Sequence, residues 1–448
     1  MGTTNTQLDV VIIGGGPAGY SAAIRCAQRG AKTALIEGAA LGGTCLNCGC
    51  IPTKFLWETL HLKKMILKSA NYGLSASAAS VDFASAKNKK DKVVLQLIKG
   101  LRSLCESHGV NIIEGNAGFV NKNTIEAAGV KYSASKFIIA TGSRPRSISG
   151  IVIDHKTILD STDILALETA PESLLIIGGG AIGIEMAVIM AGFGCSVKLI
   201  EKENQLLPNA DCAEADECKK ILGRAGVEVL LGISLIEEHK AGFEKILIAT
   251  GRQPNVDTLN LSATGIAHTD KGITVNEYLQ TNVPGIYAAG DVTGKNYLAY
   301  TAQSEGITAA ENAMGAKKSA ERGFVPWAVF TDPPIASVGM RTQDMQPGMK
   351  EGLFPLAASS KAFIDGERTG WVKVITSSEG TILGGTIVGP NAPELITILS
   401  LAVEKKLNMR DLSRNHFFHP SISESIFCAL QDSQKLCIEL PGKKGPQP

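Results

Sequence analysis

Residues 10–37 read VVIIGGGPAGYSAAIRCAQRGAKTALIE, and this stretch decides the fold. An apolar run of strand character leads into Gly14-Gly15-Gly16-Pro17-Ala18-Gly19. A helix-like stretch follows, and a second apolar run ends in Glu37. Strand, tight turn, helix and strand in that order form the unit that grips a dinucleotide. Gly14 permits the turn out of the first strand. Gly16 leaves the backbone open to a pyrophosphate, and Gly19 lets the helix approach the sheet. The free N–H groups at the helix start then face the phosphates. Glu37 ends the second strand, where a carboxylate can accept from ribose hydroxyls.

The pattern occurs twice. Residues 174–201 read LLIIGGGAIGIEMAVIMAGFGCSVKLIE, with Gly178, Gly180, Gly183 and Glu201 in the corresponding places. In both copies the glutamate lies 23 positions after the first glycine. One glycine pattern is weak evidence; two complete units imply two bound nucleotides. Two further strand-like segments repeat one theme, 137–142 ending in Thr141-Gly142 and 246–251 ending in Thr250-Gly251. A third, 285–291, closes on Gly290-Asp291, and ligands of open α/β sheets sit at such carboxyl ends, so Asp291 is expected to face a cofactor. The fold class expected is α/β, with two Rossmann-like nucleotide-binding domains.

Chemistry is concentrated directly after the first unit, in GGTCLNCGCIPTK, residues 42–54. Three cysteines in six residues invite a metal reading. Zinc, however, usually takes a close pair plus a distant pair or histidines. Cys212 and Cys218, in an acidic helical stretch, do not supply it, and no metal centre is expected. A dithiol that opens and closes beside an electron carrier fits better, because thiolates and flavins both exchange two electrons.

With Gly-Gly-Thr-Cys45-x4-Cys50-Ile-Pro-x-Lys54, Thr250-Gly-Arg-x-Pro-Asn255, Ala-Ala-Gly-Asp291 and His419-Pro-x-x-x-Glu424, the sequence resembles the class I pyridine nucleotide–disulfide oxidoreductases over nearly its whole length. The resemblance implies FAD in the first nucleotide domain and NAD in the second. It implies that Cys45 exchanges with the substrate, that Cys50 lies against the flavin, and that Lys54 sits near the flavin ring and pairs with Glu185. His419 would serve the thiols as base, oriented by Glu424, across a homodimer. Thr44, Thr141, Gly142, Gly251, Leu298 and Ala299 complete the expected cofactor contacts.

The implied domains are FAD-binding (1–147), NAD-binding (148–270), central (271–330) and an α+β dimerisation domain (331–448). Leu395, Ile398, Leu399, Ala402 and Val403 form an apolar helix face in the last, open as core or dimer contact. The implied reaction is oxidation of protein-bound dihydrolipoamide with NAD⁺, in the service of lipoyl domains of 2-oxo-acid dehydrogenase or glycine-cleavage complexes.

Four features depart from the family pattern. The stretch between Val227 and Lys245 is short, Cys48 stands where an aliphatic residue is usual, and Tyr300 and Phe417 occupy frequent histidine positions. Glutathione reductase is the nearest rival, but Glu201 would repel the 2′-phosphate of NADPH. Mercuric reductase carries adjacent cysteines near the carboxyl end, whereas Cys428 and Cys437 lie far apart in the sequence. A non-catalytic flavoprotein subunit would need neither the cysteines nor Lys54 and His419.

Composition sets the outer bounds. The 448 residues suggest several domains, and 44 basic against 43 acidic residues leave a net charge of +1, so no nucleic-acid partner is expected. No 18-residue apolar run occurs, so no membrane association is expected. The polar amino end and scattered cysteines predict a cytoplasmic protein.

Overall fold

In the computed structural model, residues 6–75, 79–234, 242–320 and 323–441 are described. The quoted stretch forms the strand Thr6–Ile13, the helix Pro17–Gln28 and the strand Thr33–Glu37. The first strand begins four residues before the apolar run at Val10. Its early part pairs with the long strand Val130–Ile139, Thr6 opposite Tyr132, and alternates exposed Gln7 and Asp9 with buried Leu8. From Val10 onward it is buried on both faces, as parallel strands covered on both sides are.

Two compact units divide the chain, Met1–Ala170 with Ile248–Glu321 and Pro171–Leu247 with Arg322–Pro448. The main sheet of the first unit runs Asn111–Glu114, Thr33–Glu37, Thr6–Ile13, Val130–Ile139, Thr124–Ala127, Ala117–Asn121. Ile286–Ala288 also lies parallel against Val130–Ile139, which places the carboxyl ends of three strands around the first glycine loop. Helices Pro17–Gln28 and Ala299–Ala313 cross closely enough that a Cβ on Gly306 would collide with the Ala18 carbonyl.

The second unit contains the repeat, as strand Ser173–Ile177, helix Ala181–Gly192 and strand Ser196–Glu201, extended in parallel by Glu228–Leu231. The short segment expected between Val227 and Lys245 includes residues 235–241, which lie outside the described residues. The same unit holds a five-stranded antiparallel sheet ordered Trp327–Val329, Ile335–Gly339, Ile382–Val388, Trp371–Thr376, Lys350–Pro355. Its core takes in Leu399 and Ala402, both 0% exposed, together with Val403. Leu399, Ala402 and Val403 of helix Ala392–Glu404 are therefore core, Leu395 and Ile398 are half-buried against it, and Leu401 is exposed.

Cys428 and Cys437, distant in sequence, are neighbours in space with hydrogen-bonded thiols.

Candidate active site

The first glycine loop is built to hold an anion. Gly14 has φ +101°, and a Cβ there would strike the Ala140 carbonyl; on Gly19 it would strike the Gly14 carbonyl. At Gly16 a Cβ would meet only the Gly43 Cα, at 3.8 Å, and would otherwise fill the open side of the loop. Helix Pro17–Gln28 has no side-chain cap at Gly16, so its first N–H groups remain for a ligand. Glu37 closes the cradle: its carboxylate accepts from Gly15 N–H at 2.6 Å and Ala39 N–H at 2.8 Å. These residues fit the pyrophosphate and ribose of a dinucleotide.

The cysteine segment is fastened to that loop. Gly42 N–H donates to the Gly15 carbonyl at 2.8 Å, and a Cβ on Gly43 would lie 2.7 Å from the Gly16 Cα. Cys45 lies in the short helix Gly43–Cys48, and Cys50 opens the helix Cys50–Lys68. The Asn47 amide donates to the carbonyls of Ala40, Leu41 and Gly43, fixing the turn between them.

Cys45 and Cys50 form a hydrogen-bonded dithiol. That bond, and then burial, push the Cys45 thiol far above its ordinary range, while Lys54, one turn past Cys50, pulls it down. Cys45 thus keeps its proton until a base removes it. Negative charge on Cys50 is favoured by its place at the start of a 19-residue helix. Cys48 points elsewhere: burial raises its thiol, a hydrogen bond to Thr162 lowers it, and it faces Arg252 and Asp160.

Tyr300 stands at the start of helix Ala299–Ala313, N-capped by Leu298 without a side-chain bond. Burial, and secondarily the charge of Cys50, push its hydroxyl up to about 12. A neutral phenol therefore sits beside Cys50. Asp291 accepts from the Ser143 hydroxyl at 2.6 Å, and that hydroxyl in turn accepts from Arg252 Nε at 2.7 Å. Burial raises the Asp291 carboxyl, opposed by Ser143 and Arg252. The ends of the two Thr-Gly strands are joined as well. Thr141 Oγ1 donates to the Asn255 carbonyl at 2.7 Å, and Asn255 N–H donates to that of Gly142 at 3.0 Å. Gly251 accepts from Arg146 N–H. Ser143, Arg252 and Asn47 are not singled out by the sequence; Arg252 and Asn47 lie within quoted stretches, whereas Ser143 lies in none.

In the second unit the repeat has the same contacts. Gly178 has φ +114°, a Cβ on Gly183 would strike the Gly178 carbonyl, and the space beside Gly180 is open for 4 Å. Glu201 accepts from Gly179 N–H at 2.6 Å and Glu203 N–H at 2.9 Å. Glu185 is buried and accepts from Phe330 N–H at 3.1 Å. His419 Nδ1 is bonded to Glu424 Oε1 at 2.9 Å, and Glu424 Oε2 accepts from Ser421 N–H at 2.8 Å. With Nδ1–H directed to the carboxylate, Nε2 of the neutral ring is the basic nitrogen. The His419 side chain is 72% exposed, so that nitrogen is open to a substrate or a second chain.

Residues 8–306 match the family model for pyridine nucleotide-disulphide oxidoreductase, and residues 325–429 match the dimerisation domain of that family. The chain is 36% identical to dihydrolipoyl dehydrogenase 2 of Haloarcula marismortui, with 95% of this chain and 96% of the relative covered. It is 36% identical to the dihydrolipoyl dehydrogenase of Bacillus subtilis, over 96% of this chain and all of the relative. It is 37% identical to the mitochondrial enzyme of Pisum sativum, over 93% and 90%. Among solved structures it is similar to the HOCl-induced flavoprotein disulfide reductase RclA of Escherichia coli, at TM-score 0.85 and 30% identity, covering 94% and 99% of the two chains. It is also similar to LpdA of Mycobacterium tuberculosis, at TM-score 0.87 and 26% identity, covering 95% and 99%.

Proposed function

Since this chain belongs to the pyridine nucleotide-disulphide oxidoreductase family, we propose that it oxidises dihydrolipoamide to lipoamide through Cys45 and Cys50, with NAD⁺ as final acceptor. The observation that carries the reading is the hydrogen-bonded Cys45–Cys50 dithiol fastened to an anion-binding glycine loop. In the oxidised enzyme the two sulfurs form a disulfide. One substrate thiolate attacks the Cys45 sulfur, giving a mixed disulfide and leaving the electron pair on Cys50. The second substrate thiol then displaces Cys45, so lipoamide leaves and the enzyme holds two thiols. His419 Nε2 takes each substrate proton in turn and hands it on to a released enzyme sulfur, with Glu424 holding the ring.

FAD, when bound, supplies the two-electron acceptor between the dithiol and NAD⁺. Gly14, Gly16, Gly19, Glu37, Thr44, Lys54, Thr141, Gly142, Gly251, Asp291, Leu298 and Ala299 are the residues to hold it. Gly178, Gly180, Gly183 and Glu201 are those for NAD, and Lys54 and Glu185 are further residues of the reaction. The divisions at 147, 270 and 330 are kept as domain boundaries. The enzyme is a homodimer formed through residues 325–429, and lipoyl domains of 2-oxo-acid dehydrogenase or glycine-cleavage complexes are its partners. Among the described residues no helix is long and apolar enough to cross a membrane; we place the enzyme in the cytoplasm.

Turnover of dihydrolipoamide with NAD⁺ should far exceed reduction of glutathione disulfide with NADPH. The reverse order would overturn the assignment. Nucleotide choice gives a second test. Glu201 should favour NAD⁺ over NADP⁺ by about tenfold or more, the worth of one charge-assisted hydrogen bond of ~1.5–3 kcal/mol. Because Glu201 also holds the Gly179 N–H, Glu201→Gln is a gentler probe than Glu201→Ala. The preference should shrink in Glu201→Gln, mainly through KM. Equal use of both nucleotides by the unmodified enzyme would show that Glu201 does not read the ribose.

A further inference from the structure

We propose that Cys428 and Cys437 are a second oxidisable pair, a thiol–disulfide site that fastens the carboxyl-terminal segment 433–441 to the helix carrying Glu424. Cys428 lies on helix Glu424–Asp432, one turn after Glu424, and is 6% exposed. Cys437 is half-buried against the same apolar core. What joins them is the way the helix ends. Lys435 takes a left-handed backbone, φ +60°, Lys435 N–H donates to the Asp432 carbonyl at 2.8 Å, and Leu436 N–H returns to the Gln431 carbonyl at 2.9 Å. This paired termination reverses the chain. Lys350 Nζ holds the reversed segment through Gln434 Oε1 at 2.6 Å. Cys437 is thereby carried back to Cys428, and the two thiols are hydrogen-bonded.

The two sulfurs are unequal. Burial first, then Cys437, pushes the Cys428 thiol up to about 12, and the carboxylates of Glu439 and Glu424 add to it. Cys428 is therefore a poor first nucleophile, whereas Cys437 reaches solvent. With a small-molecule disulfide RSSR as oxidant, the Cys437 thiolate attacks one sulfur and releases one RSH on taking up a proton. Cys428 then attacks the Cys437 mixed disulfide, loses its proton, and releases the second RSH. The net change is Cys428–SH plus Cys437–SH plus RSSR to Cys428–S–S–Cys437 plus two RSH. The carboxylates of Glu439 and Glu424 disfavour negative charge on Cys428, and the disulfide carries none. None of this draws on the Cys45–Cys50 pair.

The test is to incubate the FAD-loaded enzyme with glutathione disulfide, quench with acid, alkylate with N-ethylmaleimide under denaturing conditions, and map the peptides by mass spectrometry. The unmodified enzyme should yield the Cys428 and Cys437 peptides joined, with neither alkylated and neither carrying glutathione. In Cys428→Ala, Cys437 should keep one glutathione. In Cys437→Ser, at a half-buried position that tolerates serine, Cys428 should be recovered alkylated. If the unmodified enzyme leaves Cys437 glutathionylated, leaves both cysteines alkylated, or joins either to another cysteine, the pair is not a disulfide site. Oxidation of Cys45 and Cys50 in the same sample certifies the oxidant.

Discussion

Cys45→Ser and Cys50→Ser enzymes are each expected to lose dihydrolipoamide turnover with NAD⁺ by on the order of 10⁴-fold or more, the scale on which removing a covalent nucleophile acts. Cys48→Ser should retain most of the activity. The structural reason lies in where the three sulfurs point. Cys45 and Cys50 share a hydrogen bond, whereas Cys48 bonds Thr162 and faces Asp160 and Arg252. A serine at 45 or 50 keeps a hydrogen bond of similar shape but can form no disulfide, so folding and FAD content should survive. Steady-state rates on FAD-loaded proteins check this. A large loss in Cys48→Ser would show that the wrong pair has been assigned.

His419→Ala should lower turnover by about 10²–10⁴, the usual worth of a general base. The attacking group explains why a base is needed: dihydrolipoamide meets the Cys45–Cys50 disulfide as neutral thiols, and only a thiolate attacks. Without the imidazole the thiolate fraction is small at neutral pH and grows about tenfold per pH unit below the thiol's pKa. Residual activity of His419→Ala should therefore climb with pH. The unmodified enzyme, with its base in place, should instead show a shallower dependence.

The 72% exposure of His419 fits a residue that serves a second chain. If the site is shared across the dimer, refolding inactive Cys45→Ser together with inactive His419→Ala, in the presence of FAD, restores about a quarter of full activity. Half of the dimers are then mixed, and half of their sites carry neither defect. No recovery from dimers shown to have mixed would mean that His419 serves its own chain.

What was legible in the sequence was contiguous. The two glycine loops with their terminal glutamates, and residues 42–54, each carry their chemistry within a few dozen residues, where backbone sterics leave little choice. The contacts that bind scattered positions were not legible. Ser143, Arg252 and Asp291 meet because separate strands end side by side, and no local pattern announces it. The helix 392–404 shows an apolar face without showing what covers it; burial places Leu399, Ala402 and Val403 in the core and leaves Leu395 and Ile398 half-buried. The nearness of Cys428 and Cys437 is not announced by the sequence, because a helix end that turns back is usually signalled by glycine. Here a lysine, Lys435, takes the left-handed position. The start of the amino-terminal strand is not announced either, because Thr6 to Asp9 are polar or alternating, and pairing to Val130–Ile139 decides it.

The most direct test of the Cys45–Cys50 relay is the disulfide state of residues 42–54 before and after substrate. FAD-loaded enzyme, quenched in acid and alkylated, should show Cys45 joined to Cys50 with Cys48 alkylated. After anaerobic addition of dihydrolipoamide without NAD⁺, all three should be alkylated and lipoamide formed in step with the opened disulfide. A disulfide that includes Cys48, or a Cys45–Cys50 bond that dihydrolipoamide leaves closed, would contradict the account.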